Sequence, residues 1–343
     1  MFLKNGYQCP GYSLWSTTID KEQGREVVLN ALLSDDRRMK KFASAMVRRA
    51  KQAHDKMSSH TVAAAVVQYF DALLEVLSIF IPHSGHLRRR LVQVDYITEY
   101  SRTLSEMATK ISDSELKGAC RPIITTVAKL AKLVYEQQDR VLRNWRDLIA
   151  GDFLSLITRI TMVIPVHDDE YQNYAAYAML HNLGAHTVYP MILRALPSVE
   201  AIQMLIKKVE RVLGIRNPTL TKEWKIFCSG VIGRATIMQL NTFTQCDNSI
   251  CKRFHLRVDT KAPRQCTRCS SVVYCSDECQ REDWNRWHRT ECFPAIAVHY
   301  DRRSTDRWYT HADRWYQTNH LEPSPPCHQR LLNHYPSRDG RYP

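Results

Sequence analysis

The chain has 343 residues, enough for two or three domains and a substantial buried core. Its 44% hydrophobic and 24% charged residues are ordinary for a soluble globular protein and exclude a chain that is disordered throughout, and only eleven glycines argue against a turn-rich β fold. Because the formal net charge is +13, the position of the excess lysines and arginines matters for any polyanionic partner.

Residues 1–24 predict a flexible N-terminal arm, because Gly6, Pro10 and Gly11 interrupt any regular pattern. The first residues have no apolar signal-peptide core, so we expect an intracellular protein, in the nucleus or the cytoplasm.

Residues 25–240 predict an α-helical domain, because apolar residues recur there at spacings of three and four. Successive helices with short loops fit either a compact bundle or an irregular stack of the armadillo or HEAT kind, and no fixed repeat length decides between them. Two long helical patterns cover residues 87–111 and 123–160. Between them, Ser112 to Glu115 is a capping signal and Pro122 should interrupt the helix that it starts.

The most apolar stretch, residues 61–82, is broken by Gln68, Asp71 and Glu75. We therefore expect a buried core helix and no membrane span. No Gly-x-Ser-x-Gly, Walker or Gly-x-Gly motif occurs anywhere in the chain, so we do not expect an enzyme.

The positive charge lies mainly in residues 1–245, which carry a formal +9. Basic clusters occur at 37–41 and 88–90. Clusters of this kind are usually solvated helix faces, but they leave nucleic-acid binding by the basic helical region as an alternative function.

The clearest chemical signal lies in residues 246–292, which contain seven of the eleven cysteines and one histidine. They form four pairs: Cys246 and Cys251, Cys266 and Cys269, Cys275 and Cys279, His288 and Cys292. Thiolate and imidazole pairs at these spacings are typical of tetrahedral zinc, and eight ligands make two closed, structural sites. Disulfides would need an oxidising compartment, which we do not expect here.

The pairing of the ligands follows from the elements that carry them. Ser276 is a good N-cap, and a helix starting there would place Cys279 and His288 about 13.5 Å apart, too far to share an ion. The β-branched run before Cys275 predicts a strand that separates it from Cys269 by roughly 20 Å. The sites are therefore expected to interleave: the first and third pairs form zinc site 1, and the second and fourth pairs form zinc site 2.

This segment resembles the MYND zinc finger. The match consists of the eight ligands in order, together with Tyr274, Gln280 and Trp284, while the first pair departs from the family in its Cys-x4-Cys spacing. The resemblance implies a β-hairpin plus a helix, and the same interleaved pairing. It also implies that the finger binds short proline-containing peptides in extended form.

Carried over by residue, the resemblance assigns peptide binding to Gln280 and Trp284 on the helix and to the strand formed by Val272, Val273 and Tyr274 as the edge that pairs with the peptide. Some MYND proteins are lysine methyltransferases with a SET domain. This alternative is disfavoured, because the chain lacks the glycine-rich cofactor turn and the region before the finger is helical.

We therefore expect a mainly α protein with the finger at 241–295 and a C-terminal helix and disordered tail at 296–343. In the tail, Trp308 and Trp315 repeat at a seven-residue spacing typical of one helical face. The expected function is that of an adaptor or scaffold with two structural zinc ions, whose partners carry proline-containing linear motifs.

Overall fold

The computed structural model describes residues 21–55, 63–136, 140–164, 170–240, 246–251 and 264–304. The predicted arm lies outside these ranges except for its last four residues, and the predicted tail and its tryptophan repeat lie outside them beyond residue 304. The chain divides into two compact units: the first takes residues up to 241 together with the described residues 300–304, and the second takes residues 242–299. The predicted mainly α fold is confirmed.

The first unit is helical throughout its described residues. Its α-helices, in chain order, are α1 (Glu22–Leu33), α2 (Asp36–Asp55), α3 (Ala63–Phe80), α4 (Gly85–Val92), α5 (Tyr96–Lys110), α6 (Asp113–Gly118), α7 (Cys120–Glu136), α8 (Val141–Ala150), α9 (Phe153–Val163), α10 (Glu170–His186), α11 (Pro190–Ala195), α12 (Val199–Leu213) and α13 (Pro218–Leu240). A short 3-10 helix, Ile81–His83, follows α3.

These helices pack as two rows. Helices α2, α5, α8 and α11 pack one against the next, and so do α3, α7, α10 and α13, while α2 also packs against α3, α5 against α7 and α11 against α13. Consecutive members of a row begin between 45 and 60 residues apart. Of the two architectures that the sequence leaves open, the structure favours the irregular stack, in which a helix contacts mainly its neighbours.

Helix α3 is the central apolar element of the first unit. By length and composition alone, the segment Ala65–His83 is long and apolar enough to cross a membrane, a test that the core helix of a soluble protein also passes. Half of the segment is buried inside the fold, and Phe70, Leu77 and Phe80 are fully buried. Its packing against α2 and α7 is that of a core helix.

An ion pair joins α3 to α7. Lys129 Nζ of α7 lies 2.7 Å from Asp71 Oδ2 and 3.1 Å from Glu75 Oε2. Burial alone would lower the pKa of Lys129, but the two carboxylates outweigh it and raise the pKa. Asp71 and Glu75, which interrupt the apolar stretch in the sequence, therefore join α3 to α7 through Lys129.

The contact between α5 and α8 depends on Gly151, directly after α8. A Cβ there would lie 2.4 Å from the carbonyl oxygen of Thr98 and 2.5 Å from Ser101 Cβ, both on α5. The close approach lets two hydroxyls of α5 bond the last carbonyls of α8: Thr98 Oγ1 donates to Asp147 O and Ser101 Oγ to Leu148 O, each at 2.9 Å. The end of α8 is thus satisfied by α5 instead of water.

The boundaries of the predicted helices are partly right. Ser112 and Glu115 form the predicted capping box, and the helix ends before Pro122, which lies in the first turn of α7. The helical patterns at 87–111 and 123–160 each contain more than one helix. The chain turns at Asp95 and at Asp152, whose φ angles of 50° and 66° lie in the left-handed region.

Candidate metal centre

The second unit contains a two-stranded antiparallel sheet of β1 (Arg264–Gln265) and β2 (Val273–Tyr274). Arg264 pairs with Tyr274 and Gln265 with Val273. Between the strands, the chain makes a tight turn in which the N–H of Ser270, a residue with φ of 52°, donates to the carbonyl of Cys266 at 2.9 Å. The turn brings Cys266 and Cys269 together.

One helical path carries the later ligands. Helix α14 (Asp277–Asp283) begins after Ser276, whose hydroxyl accepts from the Cys279 N–H at 3.3 Å, so the predicted N-cap is confirmed. The path continues as a π-helical turn, Trp284–His288, and then as α15 (Arg289–Ser304). The predicted helix is therefore unbroken, with a π-helical turn in its middle.

Four cysteines form the first cluster: Cys246, Cys251, Cys275 and Cys279. The sulfur of Cys251 lies 3.6 Å from that of Cys275 and 3.7 Å from that of Cys279, and the sulfurs of Cys275 and Cys279 are 3.5 Å apart. The first pair of the sequence thus joins the third.

The second cluster consists of Cys266, Cys269, His288 and Cys292, all of them buried. The sulfurs of Cys266 and Cys292 are 3.9 Å apart, and Cys269 Sγ lies 3.4 Å from His288 Nε2. The second pair thus joins the fourth, so the eight side chains gather in the same interleaved sets that the sequence led us to expect.

The spacing of the donor atoms fits zinc. A tetrahedral site with Zn–S bonds of about 2.3 Å places its sulfurs about 3.8 Å apart, close to the 3.5–3.9 Å found here. A disulfide would need sulfurs about 2.05 Å apart, and the described cysteines are free thiols. The two clusters fit two structural zinc ions. With four protein ligands each, neither would keep an open position for water.

The turn and the N-cap also favour the thiolate form that binds zinc. Burial raises the pKa of the Cys266 thiol, but the backbone N–H groups of Cys269 and Arg268 and a hydrogen bond with His288 outweigh it and lower the pKa to about 7. In the first cluster, burial likewise raises the pKa of Cys279, yet hydrogen bonds from Ser276 and neighbouring groups lower it overall. Hydrogen bonds of this kind also orient the ligands of a metal.

Four other thiols behave differently. Burial raises the pKa of Cys246, Cys269, Cys275 and Cys292. These groups hold their protons until a metal displaces them, so metal uptake by the two clusters would release protons.

The order of the ligands, their interleaved grouping and the strand–turn–helix that carries them agree with one known family. Residues 246–292 match the family model of the MYND finger. No curated protein and no solved structure matches the chain. The MYND finger is a zinc-binding protein-interaction module, so residues 246–292 form a segment that binds zinc and interacts with proteins.

Sequence reasoning missed Asn248, which lies inside the Cys-x4-Cys spacing and is 2% exposed. Its carbonyl accepts from the Cys251 N–H at 2.9 Å and its Oδ1 accepts from the Ile250 N–H at 3.2 Å, while its Nδ2 donates to Glu282 Oε2 at 2.9 Å. Asn248 therefore folds the loop between two ligands and ties it to α14. The only sequence signal was the turn-forming composition of Asp247 to Ser249.

The structural roles of two aspartates of the MYND finger were also missed. Asp283 is buried and accepts the hydroxyl of Tyr274 at 2.7 Å. Asp247 lies beside β2: its N–H donates to the Val273 carbonyl and its Oδ2 accepts from the Val273 N–H, both at 2.7 Å.

These contacts correct one part of the predicted peptide site. Val273 and Tyr274 are 3% and 0% exposed, so their side chains belong to the core of the MYND finger. One edge of β2 pairs with β1, and on the other edge Asp247 occupies the backbone groups of Val273. The strand is therefore not a free edge for an added peptide. Gln280, Trp284 and Val272 are half-buried, and their roles stay predictions.

Proposed function

We propose that this protein is an adaptor or scaffold whose MYND finger binds short proline-containing peptides of partner proteins. The observation that carries the proposal is the position of Trp284. Its ring packs against the cysteines of the second cluster and lies edge-on to His288, with ring centroids 5.7 Å apart, yet part of it stays exposed. A half-exposed indole fixed on a metal-held framework offers a rigid apolar surface for a proline ring.

Gln280 supports the same surface. It precedes Trp284 by four residues on one helical path, so the two side chains project from neighbouring turns. An amide beside an apolar surface can bond the backbone of an extended peptide, which has no internal hydrogen bonds of its own.

The strand edge for the peptide is β1 in this proposal. Val273 uses both of its backbone groups on Asp247, so it makes no backbone hydrogen bond to Gln265, the residue opposite it on β1. The N–H and C=O of Gln265 therefore point to the edge of β1 that lies opposite β2. Both residues of β1 are exposed. Cys266, the next residue, belongs to the cluster on which Trp284 packs, so the edge and the indole share one framework.

The proposed role of zinc is structural. Each cluster uses four protein ligands, so we assign the protein a binding function and no catalytic one. A finger that depends on seven free thiols suits a reducing compartment, and we place the proposed function in the nucleus or the cytoplasm.

The test compares two tryptophans of the same helical path. Binding of the full chain to an array of proline-containing ten-residue peptides identifies a ligand, whose affinity is then measured by fluorescence polarisation. We expect Trp284→Ala to weaken binding about 30-fold, as for a hot-spot residue worth about 2 kcal/mol. The matched control is Trp287→Ala, which removes an indole that is 58% exposed and should leave the affinity unchanged.

The zinc content of each variant decides how the result is understood. With two zinc ions retained, unchanged binding by the Trp284 variant would reject the peptide site. If the Trp284 variant lost zinc, Trp284 would be needed to hold the metal sites. The peptide affinity of Gln280→Ala would then be measured in its place, and an unchanged affinity would reject the peptide site.

A further inference from the structure

The outer face of α2 carries a line of cations far from the MYND finger in sequence. Arg37, Lys40, Lys41 and Arg48, called here the cationic stripe, project from one face of the helix and are all exposed. They span about 16 Å along the axis at ~1.5 Å per residue. None of the four forms an ion pair with another residue in the described part of the chain.

The nearby acids are already engaged. Asp36 bonds Arg90 of α4, and Glu99 of α5 lies 2.7 Å from both Lys51 Nζ and Arg102 Nη1. Burial opposes the ionisation of Glu99, but these two cations lower its pKa overall. Asp36 and Glu99 are therefore paired with cations outside the stripe. Asp35, before the helix, accepts the backbone N–H of Arg37 at 2.9 Å, so it leaves the side chains of the stripe unpaired.

Helix α4 extends the positive surface. It packs against α2 and contains Arg88, Arg89 and Arg90 without any acid. Together the two helices hold ten lysines and arginines against two aspartates, a formal charge of +8 within a chain of +13. The two basic clusters of the sequence thus lie on helices that pack against each other.

The surroundings of the stripe decide which polyanion it fits. A membrane-binding helix needs an exposed apolar face, but the apolar face of α2, with Met39, Met46 and Val47, is buried in the core. A protein interface is normally anchored by exposed aromatic or large apolar side chains, and neither α2 nor α4 exposes one. Aromatic side chains for stacking single-stranded bases are missing from this surface for the same reason.

We propose that the cationic stripe holds the phosphate backbone of duplex nucleic acid without reading its sequence. Its length corresponds to about five phosphates at ~3.4 Å per phosphate along one strand. Exposed cations separated by a small polar residue, here Ser44, are sufficient to contact phosphates. Phosphate contacts position a duplex and carry no information about its base sequence.

The experiment measures binding of the zinc-loaded full chain to 20-base-pair duplexes of DNA and of RNA over a range of salt concentrations. With about four phosphate contacts, the slope of log K against log salt should be about −3.6. The variant Arg37→Gln/Lys41→Gln/Arg48→Gln should flatten the slope by about 2.7 and weaken binding at least tenfold at low salt. Preference for one duplex would identify which nucleic acid is the source of the phosphates.

The matched control is Lys207→Gln/Lys208→Gln/Arg211→Gln, which removes the same charge from exposed positions of α12. It should leave the slope unchanged. The proposal is overturned if the wild type binds neither duplex at low salt, if the control loses as much affinity as the stripe variant, or if phosphatidylserine vesicles bind through the stripe and duplexes do not. Circular dichroism shows that each variant is folded, and Lys41→Gln/Arg48→Gln replaces the triple variant if it is not.

Discussion

Asn248 shows how a single side chain can complete a metal site without being a ligand. It is buried between Cys246 and Cys251 in the chain. Burial raises the pKa of Cys246 overall, but the backbone of Asn248 acts against that rise, and its side chain helps to lower the pKa of Cys279. Both effects favour the thiolate form. The Cys-x4-Cys spacing, which departs from the usual pattern, supplies the room for this residue.

We therefore expect Asn248→Ala to weaken zinc binding at the first cluster by about 10- to 100-fold, the usual effect of losing a residue that orients metal ligands. The second cluster should keep its affinity, because Asn248 has no contact with it among the described residues. Competition with a chromophoric chelator measures both affinities. Ile250→Ala changes a side chain of the same turn that is 39% exposed and should have no effect. Equal weakening of both clusters would contradict this account.

At the scale of elements, the joint between α5 and α8 shows how the helical stack is held together. Gly151 allows the backbones to approach, and the hydroxyls of Thr98 and Ser101 then satisfy the end of α8. A third hydroxyl, Ser105 Oγ, donates to Asp152 Oδ2 at 2.9 Å. Small residues at one joint thus determine the spacing of one row of helices.

Gly151→Ala should destabilise the first unit by about 1–3 kcal/mol, because the added methyl group meets backbone atoms that cannot move separately. Gly233→Ala is the control, since a Cβ at this exposed position of α13 meets nothing within 4 Å. It should be neutral or stabilise by up to about 1 kcal/mol. Urea denaturation followed by circular dichroism measures both, and equal effects of the two substitutions would show that the close contact does not matter.

The sequence predicted the helical elements better than their ends. Side-chain capping depends on residues three apart, so Ser112 and Ser276 could be recognised as helix starts. The turns at Asp95 and Asp152 could not be recognised from the sequence. One residue in the left-handed region ends a helical path without disturbing the apolar spacing around it.

Within the MYND finger, too, the sequence predicted what local spacing determines and missed contacts between distant residues. Ligand spacing, one strand and one helix were enough to derive the interleaved grouping. The contacts of Asp247 with Val273 join residues 26 positions apart, so no local sequence pattern predicts them. The peptide edge was therefore placed on β2, where Asp247 already occupies the backbone.

At the scale of the whole molecule, charge separates two kinds of surface. The MYND finger has a formal charge of +2, which two zinc ions and seven thiolates would change to about −1. The basic surface belongs to α2 and α4 of the first unit. The proposed peptide site and the proposed phosphate site therefore lie on different units and can be tested separately.

The zinc content of the purified protein, measured by elemental analysis, tests the central claim most directly. The account predicts two zinc ions per chain, one after Cys275→Ser, one after His288→Ala and none in the double variant, because the two residues belong to different clusters. Fewer than two ions in the wild type, or two retained in either single variant, would contradict the interleaved double-zinc finger.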